Sequence, residues 1–127
     1  MPTAIVTRAI NFSAAHRMHS KAMTNEENVA LYVEVSIKGK IDPITGMVLN
    51  LTDLKECMSR SIMDTLDHRN VDLDVPYFQD KVSTAEMITV YIWEQMLKYL
   101  PVSKTCSLYE VKLYETNNNI VIYRGES

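Results

Sequence analysis

Tyr32-Val33-Glu34-Val35-Ser36-Ile37-Lys38-Gly39-Lys40 alternates apolar and polar side chains with a period of two. Val33, Val35 and Ile37 fall on one face of a pleated strand and Glu34, Ser36 and Lys38 on the other, the pattern of a half-buried antiparallel strand. Upstream, Ile5 to Met18 repeats that period, with Ile10, Phe12, Ala14, His16 and Met18 sharing a face. The stretch from Ser20 to Ala30 is polar and turn-like, and Asn25-Glu26-Glu27-Asn28 has the composition to start a short helical turn. Downstream, Asp42-Pro43-Ile44-Thr45-Gly46 supplies reversal chemistry, after which Met47-Val48-Leu49 is expected to resume pairing briefly.

Further along the period changes. Asn50 suits an N-cap, with Asp53 three residues on, and Leu51, Leu54, Met58, Ile62 and Leu66 form one apolar helical stripe. Ser83-Thr84-Ala85-Glu86 reads as a capping box opening a second helix, which carries Met87, Val90, Tyr91, Trp93, Leu97 and Leu100 and is stopped by Pro101. Cys106 to Glu115 and Ile120 to Arg124 form a hairpin closed by Thr116-Asn117-Asn118-Asn119. On its first strand Tyr109, Val111 and Leu113 share a face with Glu115, while Glu110 and Lys112 point the other way. The order strand, strand, helix, helix, strand, strand (ββααββ) predicts an α+β fold, with an antiparallel four-stranded sheet and two helices on one face. Such a sheet has two open edges, and pairing them between subunits predicts a homo-oligomer.

The 127 residues suit one domain, 1–127. Hydrophobic residues at 46% are enough for a core, and the net charge of −3 supplies no basic field for a general nucleic-acid or anionic-membrane surface. Cys57 and Cys106 lie far apart with no C-x-x-C, which suggests neither a zinc ribbon nor a disulfide framework and fits a reducing cytosol. The N-terminus has no signal-peptide pattern and no run approaches a membrane span, so a cytoplasmic location is expected. Asn70-Val71-Asp72-Leu73-Asp74-Val75-Pro76 is an acidic loop without the glycine and terminal glutamate of a calcium site.

Three places carry possible chemistry. Asp67-His68 follows the first helix, and an acid beside a histidine fits either proton transfer or a capping arrangement at a helix end. His16 points with the apolar side of its strand, which fits a hydrogen-bonded core residue or a ligand. Glu115 lies on the apolar parity of its strand, and is either an exposed strand end or a buried carboxylate with a partner in the protein or a ligand.

Taken together, Phe12-Ser13-Ala14-Ala15-His16-Arg17, Ile41-Asp42-Pro43-Ile44-Thr45-Gly46-Met47-Val48, Leu66-Asp67-His68-Arg69-Asn70, Asp74-Val75-Pro76-Tyr77-Phe78, Val82-Ser83-Thr84-Ala85-Glu86, Val90-Tyr91-Ile92-Trp93 and Tyr114-Glu115-Thr116 resemble the 6-pyruvoyl tetrahydropterin synthases, in family order across nearly the whole chain. The match resembles the animal enzymes of tetrahydrobiopterin synthesis most, with 6-carboxy-tetrahydropterin synthases as the near alternative. The resemblance implies the tunnelling fold (T-fold) and a zinc-dependent lyase. Its reaction is loss of triphosphate from 7,8-dihydroneopterin triphosphate, giving 6-pyruvoyl tetrahydropterin. It implies a hexamer of two stacked trimers with sites between subunits. His16 matches the first of three zinc histidines, Asp67 and His68 match two members of a proton-transfer triad, and Glu115 matches the carboxylate that anchors the pterin. Ser83, Thr84 and Glu86 match a segment near the pterin pocket, with Met87 where the family usually has Asn. The family's loop carrying a cysteine base and two further zinc histidines has no counterpart, since Leu31-Tyr32 runs directly into Val33-Glu34-Val35. A chain without that loop is expected to bind zinc poorly and turn over little, and its alternative role is an inactive pterin-binding or assembly subunit.

Overall fold

The computed structural model describes residues 1–15 and 29–127. Strand β1 (Thr3–Ala15) pairs antiparallel with β2 (Val29–Lys40) from Thr3↔Lys40 to Ala14↔Val29. Strand β4 (Cys106–Tyr114) pairs with β2 and with β5 (Ile120–Tyr123), both antiparallel. A short β3 (Arg69–Asn70) runs parallel to β1 at Ala14 and Ala15, giving the order β3-β1-β2-β4-β5. The sheet is therefore five-stranded and mixed, where the sequence pattern predicts four antiparallel strands. Two residues are too short to leave a period in sequence. Met47–Leu49, expected to resume pairing, forms no strand; Asp42 Oδ1 instead accepts from Ile44 and Thr45 N–H and closes the turn on itself. The expected helical turn at Asn25–Asn28 and the continuation of β1 through Met18 lie outside the described residues.

The helices cover one face of the sheet. Asn50 caps α1 (Leu51–Met58) by accepting from Thr52 N–H, and the helix continues through a π-turn (Ser59–Met63) into α2 (Asp64–Leu66). Leu54, Met58, Ile62 and Leu66 recur every four residues, a step that drifts about 40° per repeat on a regular α-helix. The wider π-turn unwinds part of that drift, and all four side chains end up buried against the sheet. The acidic loop is partly helical, with α3 (Val71–Asp74) and a 3-10 turn (Pro76–Phe78). Helix α4 (Ala85–Tyr99) buries Ile88, Ile92 and Met96 in the same core as Phe12, Val33, Val35 and Leu113.

One strand departs from its predicted parity. Between Ser36↔Glu110 and Ile37↔Leu108 the ladder skips Tyr109, so β4 carries a β-bulge. An extra residue reverses which side chains face the core. Leu108 is buried, whereas Tyr109 joins the open face, beneath Lys38 and Arg124. From Val111 onward the expected alternation holds, which places Glu115 on the buried side. Among the described residues no helix is long and apolar enough to cross a membrane.

Candidate active site

Helix α2 stops at Leu66, and the next two residues fold against the end of β1. Ser13 N–H donates to Asp67 Oδ1 at 3.0 Å, and His68 N–H donates back to the Ser13 carbonyl at 2.6 Å. His68 has φ of +60°, the left-handed region that side chains other than glycine seldom adopt. The Ser13 bond and the parallel pairing of Arg69–Asn70 with Ala14–Ala15 hold it there. Asn70 in turn caps α3 by accepting from Leu73 N–H, which fixes the chain on the far side of the pair.

Asp67 Oδ2 lies 2.9 Å from His68 Nδ1. The Ser13 N–H holds the Asp67 carboxyl below the usual carboxylate range; burial opposes that shift and the bond to the His68 ring adds to it. The carboxylate is thus ionised at neutral pH and fixes the ring by its Nδ1–H. The His68 side chain is 76% exposed and Asp67 only 20%, so Nε2 faces outward as the atom able to take up or release a proton. The sequence left open a capping role, and Asp67 is the C-cap residue of α2, its N–H donating to the Met63 carbonyl at 3.3 Å, while Asn70 supplies the side-chain cap of α3.

The second cluster forms where β4 meets the start of α4. Glu115 is buried at 5% exposure, and its N–H donates to the Asn119 carbonyl at 2.9 Å. Thr116 Oγ1 accepts from Asn118 and Asn119 N–H, so the hairpin turn closes on itself and holds the strand end in place. Ala85, Glu86, Glu115, Asn118, Asn119, Ile120 and Val121 line an open cleft of about 280 Å³. Thr84, not Ser83, is the N-cap of α4, accepting from Met87 N–H at 3.3 Å. The N-cap therefore lies one residue later than expected, which puts Met87 and not Glu86 at the third helical position and leaves no capping box, and Glu86 stands in the first turn, exposed, on the rim of the cleft. The positive end of α4 favours an anionic side chain there. Two carboxylates, one buried and one at the rim, suit a planar ligand that presents several N–H donors.

The structure thus brings Glu86 and Glu115 into one cleft with Thr84 beside it, and joins Asp67 to His68 on the opposite side of the sheet. Both groups lie toward the same end: Asn11, Tyr32, Tyr114 and Ile120 are level across the ladder, and the Ala14↔Val29 pair lies three residues further along β1. Three strand spacings separate β3 from β4, about 14 Å. His16 lies outside the described residues. Sequence reasoning missed the two backbone bonds of Ser13, which no side-chain pattern reports, and read Asn118 and Asn119 only as turn residues; two amides beside an inward carboxylate were the available signal.

Comparison with known proteins gives a consistent answer. The family described as "6-pyruvoyl tetrahydropterin synthase" matches residues 5–126. A protein from Homo sapiens named 6-pyruvoyl tetrahydrobiopterin synthase is 51% identical, with 95% of this chain and 91% of that protein aligned. A protein of the same name from Drosophila melanogaster is 44% identical over 98% of this chain and 81% of its own length. The human alignment runs over 135 residues, more than the 127 of this chain, so that protein carries residues with no counterpart here. Among solved structures, 6-pyruvoyl tetrahydropterin synthase from Caenorhabditis elegans superposes with a TM-score of 0.87 at 34% identity, covering 99% of this chain and 98% of the other.

Proposed function

The chain belongs to the 6-pyruvoyl tetrahydropterin synthase family, and on that premise we propose that the Glu86–Glu115 cleft receives the pterin ring of 7,8-dihydroneopterin triphosphate, on the path to 6-pyruvoyl tetrahydropterin. The observation that carries this reading is the buried Glu115 carboxylate at the floor of a cleft whose rim holds a second carboxylate. A pterin's amino group and adjacent ring N–H form a guanidine-like fork, which a carboxylate accepts in two parallel bonds. Thr84 holds the α4 terminus that carries Glu86, and so acts as a positioning residue.

Asp67 and His68 supply the acid–base function. His68, oriented through Nδ1, takes a proton at Nε2 from a carbon or hydroxyl of the substrate side chain and returns it elsewhere on that chain, while Asp67 stabilises the imidazolium.

The topology favours a site shared between copies. The cleft of about 280 Å³ falls below the ~300–1000 Å³ of typical small-molecule pockets. Strand β3 covers only Ala14 and Ala15 on the outer side of β1, and β5 is the opposite edge of the sheet. Antiparallel pairing of the β1 edge of one copy with the β5 edge of the next sets the C-terminal end of β1, with Asp67 and His68, beside Ile120 and the cleft of its neighbour. Repeating that contact closes a ring, and two stacked rings of three make the hexamer expected for this family. A cytoplasmic location belongs to the same reading.

The zinc implied for this family would call on His16, and the 3 histidines of the sequence are too few for a three-histidine centre beside a proton-carrying His68. Among the described residues no group of three or more His, Cys, Asp or Glu side chains is placed to hold a metal ion.

Calorimetric titration with 7,8-dihydroneopterin triphosphate tests the proposal. Binding at one site per chain is expected, weakened about 10- to 100-fold in Glu115→Gln, the loss of one charge-assisted contact. Equal affinity in the two proteins would sink it.

A further inference from the structure

A zinc centre held by three histidines, together with a separate proton-carrying histidine, needs four imidazoles per site. This sequence contains 3, namely His16, His19 and His68. The shortfall persists in any homo-oligomer, because each added copy brings one more site and the same side chains. His68 is the one of the three that is described, and its Nδ1 is engaged with Asp67 while its backbone is held by Ser13. Turning its Nε2 to a metal would leave the site without a proton carrier.

Cysteine does not make up the difference. Cys57 is buried in the helical layer with its Sγ 3.7 Å from the Met96 carbonyl, and burial pushes its thiol up, away from the thiolate a metal needs. Cys106 pairs with Gly39, which pairs with Ala4 on β1. That is ten residues of strand, about 33 Å, from Ala14 and the Asp67–His68 pair. A carboxylate in place of the missing imidazole would exchange a neutral ligand for an anionic one and make a centre of different charge.

We infer that this chain recognises the pterin ring without retaining a three-histidine zinc, so that substrate binding and turnover are separated in it. The inference rests on the pterin reading above and adds the metal. The full-length protein, incubated with zinc chloride and then desalted, is analysed for metal content; in parallel, 7,8-dihydroneopterin binding is read by fluorescence, and triphosphate release from the full substrate is followed with and without added zinc. Well under one zinc per chain is expected after desalting, with 7,8-dihydroneopterin bound and triphosphate release unchanged by the metal. One zinc retained per chain, or release stimulated many-fold by zinc, overturns the inference and leaves the pterin reading intact. A zinc-free chain that binds no 7,8-dihydroneopterin overturns the pterin reading, and the inference falls with it.

Discussion

The Asp67–His68 pair and the Glu115 cleft lie at the same end of one sheet but are held by different means. The pair is fixed by the main chain of another element, with Ser13 both donating to Asp67 and accepting from His68, and its working ring stands in solvent. The strand end that carries the cleft carboxylate is held by its own turn, and Glu115 is buried there, with the second carboxylate brought in by a helix start. An exposed, oriented imidazole suits moving a proton, whereas a buried carboxylate suits holding a ring in place. Two substitutions that each remove one charge separate the roles. Glu115→Gln is expected to cost about 2 kcal/mol in pterin affinity, and Asp67→Asn less than about 0.5 kcal/mol. Titration of both variants with the same pterin checks this; equal losses would mean that the two regions form one binding surface within a chain.

Stability should divide the two regions in the opposite sense. The Asp67 carboxyl is lowered in the folded state, chiefly by the Ser13 N–H. A carboxylate lowered on folding adds stability that is fully present above its unfolded value, near 3.9, and is lost as pH falls through the lower folded value. Asp67→Asn keeps an oxygen to accept from Ser13 but carries no charge. It is expected to cost about 1 kcal/mol at pH 7, with the difference from wild type vanishing in acid. Urea unfolding at pH 7 and pH 3 measures it. A difference that persists undiminished at low pH would show that the charge contributes nothing.

Much of this arrangement was legible in the sequence, and what was hidden shares a physical cause. Side-chain period placed the buried faces of β1 and β2 and the Leu54–Leu66 stripe, because burial is periodic in regular elements, and put Glu115 on the apolar parity while leaving open whether it was buried. It misplaced Tyr109, since one bulged residue reverses parity without changing composition. It put the α4 cap at Ser83 rather than Thr84, because Ser83 has Glu86 three residues on, as a capping box requires, whereas Thr84 has Met87 there. The two-residue β3 and the Ser13 bonds are backbone features, and a backbone carries no residue-specific mark. Asp67 and His68 stood out as an acid beside a histidine, and the family resemblance gave them a proton-transfer role, while the reason they hold their geometry comes only from the fold.

The smallest expected effect bears on His68 itself. Its φ of +60° costs stability for most side chains, but asparagine tolerates that region because its short amide bonds locally. His68→Asn keeps the backbone bond to Ser13 and removes the ring, and with it the bond to Asp67 Oδ2, which is exposed on the histidine side and therefore weak. Stability should stay within about 0.5 kcal/mol of wild type, pterin affinity should not change, and acid–base function should be lost. His68→Val makes the contrast, since a β-branched residue at this φ should be destabilised by about 1–2 kcal/mol. Thermal unfolding of the two variants checks the ranking. If His68→Asn fell as far as His68→Val, the imidazole and not the backbone would be holding the pair against β1.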